Sequence, residues 1–324
     1  MIIRVLGAIA GFALFFASPA SAQKYPEKVI TIVVPFTAGG PTDTVTRLIA
    51  QPMTMALKQQ VIVENIGGAG GTIAATRVAR TAADGYTLLL HHIGMSTAPT
   101  LYRKLPYNPM TDFEPIGLIN EVPMTLIARR DFPPKDLKEL ITYVKANKDK
   151  VTYANAGIGA ASHLCGMLLM TTIQTDLTTV PYKGTADVMK DILGGQVDLT
   201  CDQTTNTTSQ IKAGKVKVYG VTMPKRLSSL PKIPTLDESG LKGFEVSVWH
   251  ALYAPKKTPK PVIDTLTKAL QAALKDKVVK ERFADLGTEP VVEKRATPEA
   301  LRTHLKAEIE KWAPIIKKAG VYAD

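Results

Sequence analysis

Two glycine-containing turns stand where a strand-like segment gives way to a helix, and such turns can bind an anion. Gly39 and Gly40 follow the apolar segment 29–36, and residues 157–162 follow the apolar segment 151–156. These turns expose backbone N–H groups, and the helix dipole behind them favours negative charge without a cationic side chain. Either turn alone is also an ordinary connection in a parallel sheet. Two of them, on two structural units, favour a cleft that holds an anionic ligand.

The polar residues next to these turns each admit two roles. Asp43 lies at a helix start, where it either caps the helix or meets a ligand hydroxyl or amine. Ser162 and His163 suggest a nucleophile and its base, but no Gly-x-Ser-x-Gly elbow surrounds them, and Ser162 serves equally well as an anion donor or a cap. Cys165 beside His163 is a similarly weak signal. A nucleophilic hydrolase therefore remains an alternative to a binding protein.

His91 and His92 follow a strand-like segment, and residues 202–208 read Asp-Gln-Thr-Thr-Asn-Thr-Thr. Adjacent residues on an extended strand point to opposite faces, and no clustered Cys or His spacing accompanies the pair, so we predict no metal site. His92 is instead placed to donate to a carboxylate. Residues 202–208 form either a polar loop with helix caps or a wall of neutral donors. Neither glycine turn has a nucleotide-binding motif, and no cofactor is predicted.

Strands and helices that would position these residues alternate along the chain. Strand-like segments lead through short loops into helical patterns at 29–36, 61–65 and 86–90, and the pattern returns at 151–156. This alternation is typical of an α/β layer fold. An apolar crossing near 115–131 marks the passage to a second unit.

The carboxyl-terminal part is helical and has no strands of its own. A returning strand at 244–254 is followed by a helical stretch at 262–284 and by a helix that begins near Thr297 and stops at Gly320. We expect these helices to cover the first unit, which makes that unit discontinuous. The predicted division is residues 23–122 with 248–324 as domain 1, and residues 123–247 as domain 2.

Composition and the amino terminus exclude several function classes. The 324 residues are 45% apolar and 21% charged, as in a globular protein long enough for two domains. The net charge of +11 is scattered rather than clustered, so no nucleic-acid partner is predicted, and we expect a monomer. Residues 1–22 combine Arg4, a short apolar run and an Ala-Ser-Ala end, which predicts a signal peptide cleaved after Ala22. The mature protein is therefore expected to be exported.

Export gives the two cysteines a specific meaning. In an oxidising compartment Cys165 and Cys201 are candidates for one disulfide, and the alternative is two buried free thiols. A bridge across this loop contributes ~3.5 to 4 kcal/mol in the chain-entropy model.

A series of short motifs covers essentially the whole chain after residue 22. They include Val-Pro-Phe-Thr-Ala-Gly-Gly-Pro-Thr-Asp at 34–43 and Val-Glu-Asn-Ile-Gly-Gly-Ala-Gly-Gly at 63–71, with others at 25–28, 84–88, 157–163, 180–184, 194–198, 231–240 and 254–259. Together and in this order they resemble the Bug family, the extracytoplasmic solute receptors of tripartite tricarboxylate transporters. The chain departs from many relatives at 160–162, where Gly-Ser-x is common, and at 91–92, where Ser, Thr or Asn is common.

The resemblance implies an α/β, two-domain periplasmic binding protein of the Venus-flytrap type, each domain a mixed, mostly parallel sheet flanked by helices. In that family the loops after the first strand of each domain grip a solute carboxylate, largely through backbone amides and ordered water. Together with the turns analysed above, this gives a set of expected ligand-binding residues: Phe36, Thr37, Ala38, Gly39, Gly40, Asp43, His92, Gly159, Ala160, Ala161, Ser162, His163, Lys183, Asp202 and Thr204.

The expected function is a non-enzymatic periplasmic receptor for a small organic carboxylate, with one or two carboxyl groups. The receptor would close by a hinge motion over a ligand that bridges both lobes, and would then deliver it to the permease subunits of a tripartite tricarboxylate-type transporter. Two alternatives stay open at this point. One is a secreted hydrolase that uses Ser162 or Cys165 with His163, and the other is a receptor that reports to a sensor partner instead of a transporter.

Overall fold

The protein alternates strands and helices in a computed structural model that describes residues 25–323. The strands are β1 (Ile30–Val34), β2 (Val61–Asn65), β3 (Thr87–His92), β4 (Phe113–Arg129), β5 (Thr152–Asn155), β6 (Thr178–Pro181), β7 (Leu199–Gln203), β8 (Val216–Val221), β9 (Ser247–Pro255) and β10 (Glu289–Pro290). The helices are α1 (Pro41–Leu57), α2 (Thr72–Ala79), α3 (Gly94–Leu101), α4 (Leu137–Ala146), α5 (Ala161–Ile173), α6 (Thr185–Leu193), α7 (Thr204–Lys212), α8 (Lys260–Lys275), α9 (Lys277–Asp285) and α10 (Pro298–Ala319). The predicted signal peptide, with its cleavage after Ala22, lies outside the described residues.

The first strand and helix show how local sequence sets the element boundaries. The β-branched residues of β1 are almost all buried, as expected for a strand that is covered on both faces. Gly39 then adopts a φ of +79°, a region that favours glycine, and the chain turns into α1. Pro41 occupies the first helical position, where a missing N–H costs nothing. Val45, Ile49 and Met53 follow at helical spacing and are buried.

The strands join in the order β2-β1-β3-β9-β4-β7-β5-β6, and β8 and β10 pair with β4. Among the named strands of residues 25–323, parallel pairing joins β1 to β2 and β3, and β5 to β6 and β7. Every pairing that involves β4 or β9 is antiparallel. Each half of the sheet is therefore mixed, as predicted. Fewer of its strand pairs are parallel than the prediction of a mostly parallel sheet implied, because β4 and β9 pair antiparallel with all their neighbours.

One long strand, β4, belongs to both halves of the sheet. It pairs with β9 from Phe113 to Pro123, and with β7 and β8 from Met124 onward. The change of partner falls next to the predicted crossing at residue 122. The sequence pattern predicted an apolar passage there, and the structure shows a continuous strand of 17 residues.

The carboxyl-terminal helices return to the first half of the sheet, as predicted. α8 packs on α1 and β4, while α10 packs on α3 and β4. Trp249 of β9 is buried in the core, and its indole N–H donates to Glu308 of α10. No helix within residues 25–323 combines the length and the apolar content needed to cross a bilayer.

Two helical segments differ from the sequence prediction. The stretch 262–284 forms two helices rather than one, because the Asp276 side chain accepts hydrogen bonds from the N–H groups of Val278 and Val279 and so begins α9. Residues 204–208, for which the sequence left open a polar loop with helix caps or a wall of neutral donors, form the start of α7. Threonine has low intrinsic helix propensity, so this helix depends on the burial of Thr204, Thr207 and Thr208.

Cys165 and Cys201 form a disulfide, with their Cα atoms 6.0 Å apart. The bond joins α5 to β7 and closes a sequence separation of 36 residues. The predicted pairing is confirmed, and the alternative of two free thiols is wrong.

Candidate functional site

The candidate site is a small cavity between the two halves of the sheet. Its free volume is about 10 Å³, close to that of one water molecule, and residues from both halves line it: Phe36, Pro41, Thr42, His92, Ala156, Ala160, Ala161, Ser162, Thr185, Asp202 and Gln203. It lies at the carboxyl ends of β1, β3, β5 and β7, the edge where α/β sheets bind ligands. A groove along α8 and α9 has no such set of strand ends.

Four helices begin at this cavity, and none of their N-cap side chains accepts a hydrogen bond from the first turn. These are α1, α5, α6 and α7, which follow Gly40, Ala160, Gly184 and Gln203. The N–H groups of the first helical turn have no partner within their own helix. Their N–H donors and dipoles therefore converge on one small volume, which favours an anion there. No Lys or Arg lines the cavity.

His92 adds a neutral donor to the cavity wall. Its ring stacks on Phe36 with centroids 4.6 Å apart, and its Nδ1 accepts a hydrogen bond from the Gly94 N–H at 2.9 Å. Burial lowers the pKa of His92 to about 3, so the ring is neutral at neutral pH. A neutral ring whose Nδ1 is an acceptor carries its proton on Nε2. The residue thus offers a ligand an N–H group without a charge.

A hydrogen-bonded chain leads from the cavity to β4. The Thr42 hydroxyl lies 3.3 Å from Nε2 of His250, and Nδ1 of His250 lies 2.9 Å from Oδ1 of Asn120. The Asn120 amide donates in turn to Thr288. Because an amide oxygen can only accept, the His250 proton is on Nδ1 and its Nε2 accepts from Thr42. These hydrogen bonds fix the side chain of Thr42, which lies in the first turn of α1.

Ser162 is arranged to donate into the cavity rather than to act as a nucleophile. Its Oγ accepts the Ala156 N–H at 2.9 Å, which leaves the hydroxyl proton free. Among the hydrogen bonds of residues 25–323, none joins Ser162 to His163, whose Nδ1 instead lies 3.4 Å from the Gly159 nitrogen. His163 lines a separate cavity with Met167 and Met170, and burial lowers its pKa to about 4. The hydrolase alternative also loses Cys165, because its sulfur is in the disulfide.

Two buried aspartates near the cavity differ in their partners. Asp43 accepts hydrogen bonds from Arg47, from the Gly39 N–H and from Asn65. Burial alone raises the pKa of Asp43, but these hydrogen bonds hold it below its usual value. The hydrogen-bond donors to Asp202 within the described residues are uncharged. Burial raises its pKa to about 6, in spite of donors from Asn206 and the Gln203 N–H.

Of the predicted ligand-binding residues, the structure brings Phe36, His92, Ala160, Ala161, Ser162 and Asp202 together on the cavity wall. The others lie outside that wall: Thr37, Ala38, Gly39, Gly40, Asp43, Gly159, His163, Lys183 and Thr204. Asp43 supports the loop that precedes α1, and the Thr204 hydroxyl donates to the Gly287 carbonyl at 3.4 Å. Five wall residues were absent from the predicted set: Pro41, Thr42, Ala156, Thr185 and Gln203. Thr185 carried a signal, since it follows Gly184 at another strand-to-helix turn.

Close contacts hold the two halves of the sheet together at the cavity rim. A Cβ at Gly184 would overlap Oγ1 of Thr37, and a Cβ at Gly70 would overlap the Ile158 carbonyl oxygen. The Tyr102 hydroxyl lies 2.7 Å from the Ala69 oxygen and 2.9 Å from the Ile158 oxygen. Only a residue without a Cβ fits at the two glycine positions. These contacts therefore close the rim over the cavity.

Comparisons with known proteins agree with this geometry. The family model described as the tripartite tricarboxylate transporter family receptor matches residues 45–321. A solved structure of the periplasmic binding protein BugD is 58% identical with a TM-score of 0.90, covering 92% of this chain and 99% of that one. MatC from Rhodopseudomonas palustris with bound malate is 41% identical with a TM-score of 0.88, covering 90% and 100%. A second R. palustris protein, with adipate, is 33% identical with a TM-score of 0.87, covering 92% and 99%.

These matches extend over nearly the whole described chain, and the solved structures share its fold. The family consists of solute-binding receptors, which agrees with a cavity that has anion donors but no nucleophile paired with a base. The chain belongs to the tripartite tricarboxylate transporter receptor family of periplasmic solute-binding proteins.

Proposed function

We propose that this protein captures a small organic acid with one or two carboxylates in the periplasm, and hands it to the membrane permease of a tripartite tricarboxylate-type transporter. Export by a signal peptide cleaved after Ala22 belongs to the same proposal. One observation supports a carboxylate as the ligand: four helices begin at one cavity, and none of them has a side-chain cap at its N-terminus. Neutral donors from His92 and Ser162 complete a site for a carboxylate.

A carboxylate held without Arg or Lys is physically reasonable in this setting. Several N–H groups share its charge, and the helix dipoles are oriented favourably toward it. Relatives of the same family have been solved with malate and with adipate, which supports carboxylates as the ligand class. Ligand capture would join domain 1 (residues 23–122 and 248–324) to domain 2 (residues 123–247) across the rim.

The test is a thermal-shift and calorimetric screen of the mature chain from Gln23, refolded to remove any ligand that was carried over. The panel contains malate, succinate, adipate, lactate and propionate, with succinamide and glucose as uncharged controls. A ligand at 100 times its Kd adds ~2.7 kcal/mol to stability, which is a shift of a few degrees in Tm. We expect shifts from carboxylates alone. Equal shifts from the uncharged controls, or none from any acid, would contradict the proposal.

A further inference from the structure

Asp202 is a carboxylate on the cavity wall that no cationic side chain neutralises. It is 1% exposed, and the groups of the described chain that lower its pKa are all uncharged. Its Oδ1 accepts the Gln203 N–H at 2.8 Å and its Oδ2 accepts the Asn206 amide at 2.6 Å, while Thr185 donates a third hydrogen bond. A carboxylate offers about four acceptor positions. One position therefore remains for a ligand.

The small cavity makes the charge of Asp202 relevant to any carboxylate ligand. Asp202 and the helix N-termini line the same small cavity, so a small ligand gripped at the N-termini lies close to Asp202. Two carboxylates at close range repel each other unless a hydrogen lies between them. The raised pKa of Asp202, about 6 through burial, shows that its charge is already costly before a ligand arrives. A hydroxyl or ammonium hydrogen on the ligand would satisfy the remaining acceptor position.

We propose that Asp202 selects, among small carboxylates, those that carry a hydroxyl or ammonium group, by accepting a hydrogen bond from it. This inference rests on the proposed function, because it assumes that the cavity holds a carboxylate. Asp43 cannot serve in the same way. It does not line the cavity, and Arg47, Gly39 and Asn65 occupy its oxygens.

The first experiment uses the wild-type protein and ligand pairs that differ in the donor. Calorimetry compares L-malate with succinate and with 2-fluorosuccinate, which has a similar size but cannot donate, and compares L-lactate with propionate. Loss of a hydrogen bond to a charged group weakens binding ~10- to 100-fold. We expect that factor in each pair that binds, in favour of the member with the hydroxyl group.

The second experiment changes the protein. Asp202→Asn keeps the size of the side chain and removes its charge, and we expect it to reduce the malate-to-succinate preference to less than about threefold. Asp198→Asn is the matched control, because Asp198 precedes β7, pairs with Arg129 and lies outside the cavity. It should leave the preference unchanged. Thermal melts of both variants establish that they are folded.

Each outcome has a distinct meaning. If succinate, 2-fluorosuccinate or adipate binds wild-type protein as tightly as malate, Asp202 does not select for a donor, while the proposed function stands. If no acid in the panel binds, the proposed function itself fails. If Asp202→Asn does not fold, the ligand pairs on wild-type protein still decide the question, since they need no variant.

Discussion

Helices that begin at the cavity and helices that begin on the outer surface treat their first turns differently. α4, α9 and α10 begin away from the cavity, and Asp136, Asp276 and Thr297 accept hydrogen bonds from their first-turn N–H groups. α1, α5, α6 and α7 begin at the cavity without such a cap. The difference shows where helix stability is increased by a side chain and where the N–H groups are left for a ligand.

The contrast is not a rule for every helix of the protein. α2, α3 and α8 also lack a side-chain cap. A proline among the first residues removes one N–H group from α8, as Pro41 does from α1, so this feature does not separate the two sets. What distinguishes the cavity is that four uncapped starts meet at one place.

The largest expected effect concerns the Cys165–Cys201 disulfide, which anchors α5, a helix that has no side-chain cap. Replacing both cysteines, Cys165→Ala with Cys201→Ala, should lower the free energy of unfolding by ~3.5 to 4 kcal/mol, because the closed loop no longer restricts the unfolded chain. Denaturant unfolding with and without a reductant measures this. Reductant should destabilise the wild type and leave the double variant unchanged. A loss below about 1 kcal/mol would mean that other contacts hold α5.

The second prediction places a cap where the cavity has none. Ala160→Asp should supply a carboxylate to the start of α5, which stabilises the helix by ~0.5 to 2 kcal/mol but competes with the ligand for the same N–H groups. We expect carboxylate binding to weaken at least ~100-fold, or about 2.7 kcal/mol. Calorimetry with the acid found in the screen measures it.

A neutral cap is the control for that experiment. Ala160→Ser adds an acceptor of similar reach without a charge, so its effect on binding should stay below ~10-fold. If Ala160→Asp binds the acid as tightly as the wild type, the N–H groups of α5 are not part of the anion site.

The third prediction uses the pH dependence of stability. The pKa of Asp202 in the folded protein, about 6, exceeds the ordinary value, so the folded state holds a proton that the unfolded chain releases. The contribution of Asp202 to stability should therefore fall as pH rises from ~4 to ~6, by ~2 to 3 kcal/mol, and stay level above that range. Asp202→Asn removes this loss. In thermal melts, the difference in stability between the variant and the wild type should increase from pH ~4 to pH ~6. A difference that does not change with pH would contradict a raised pKa for Asp202.

The buried histidines add an opposite trend to the total stability, because their pKa values are lowered in the folded protein but ordinary in the unfolded chain. This trend is common to the variant and the wild type, so it cancels in the difference between their stabilities. His92 has a pKa of about 3 and stays neutral across the window. The pKa of Asp43 lies below its usual value, so its carboxylate is ionised there.

The sequence was informative where structure depends on local chemistry. Gly39 with Pro41 specifies a turn into a helix, because a positive φ and a fixed φ are properties of those residues themselves. Residues 157–162 were found in the same way. The disulfide was predicted from the expected export and from the fact that the chain has just two cysteines.

The rest of the site depends on topology and on helix rotation, which the sequence does not display. Ser162 and His163 are neighbours on α5, where successive side chains point about 100° apart, so one faces the cavity and the other a separate pocket. α7 was missed because its threonines disfavour a helix until tertiary packing buries them. Ala156 follows β5, which lies next to β7 in the sheet. Thr185 follows β6, which pairs with β5, so it reaches the wall through the strand order as well.

The smallest expected effect tests the capped helices that begin away from the cavity. Asp136→Ala and Asp276→Ala each remove a cap, and each should cost ~1 kcal/mol of unfolding free energy, because first-turn N–H groups lose an acceptor. Neither variant should change the Kd for a carboxylate, since both caps lie outside the cavity wall. Denaturant unfolding and calorimetry on the same samples give the two numbers. A cap variant that weakens binding more than threefold would show that the outer helix starts also serve the ligand, and the division between the two sets of helices would no longer hold.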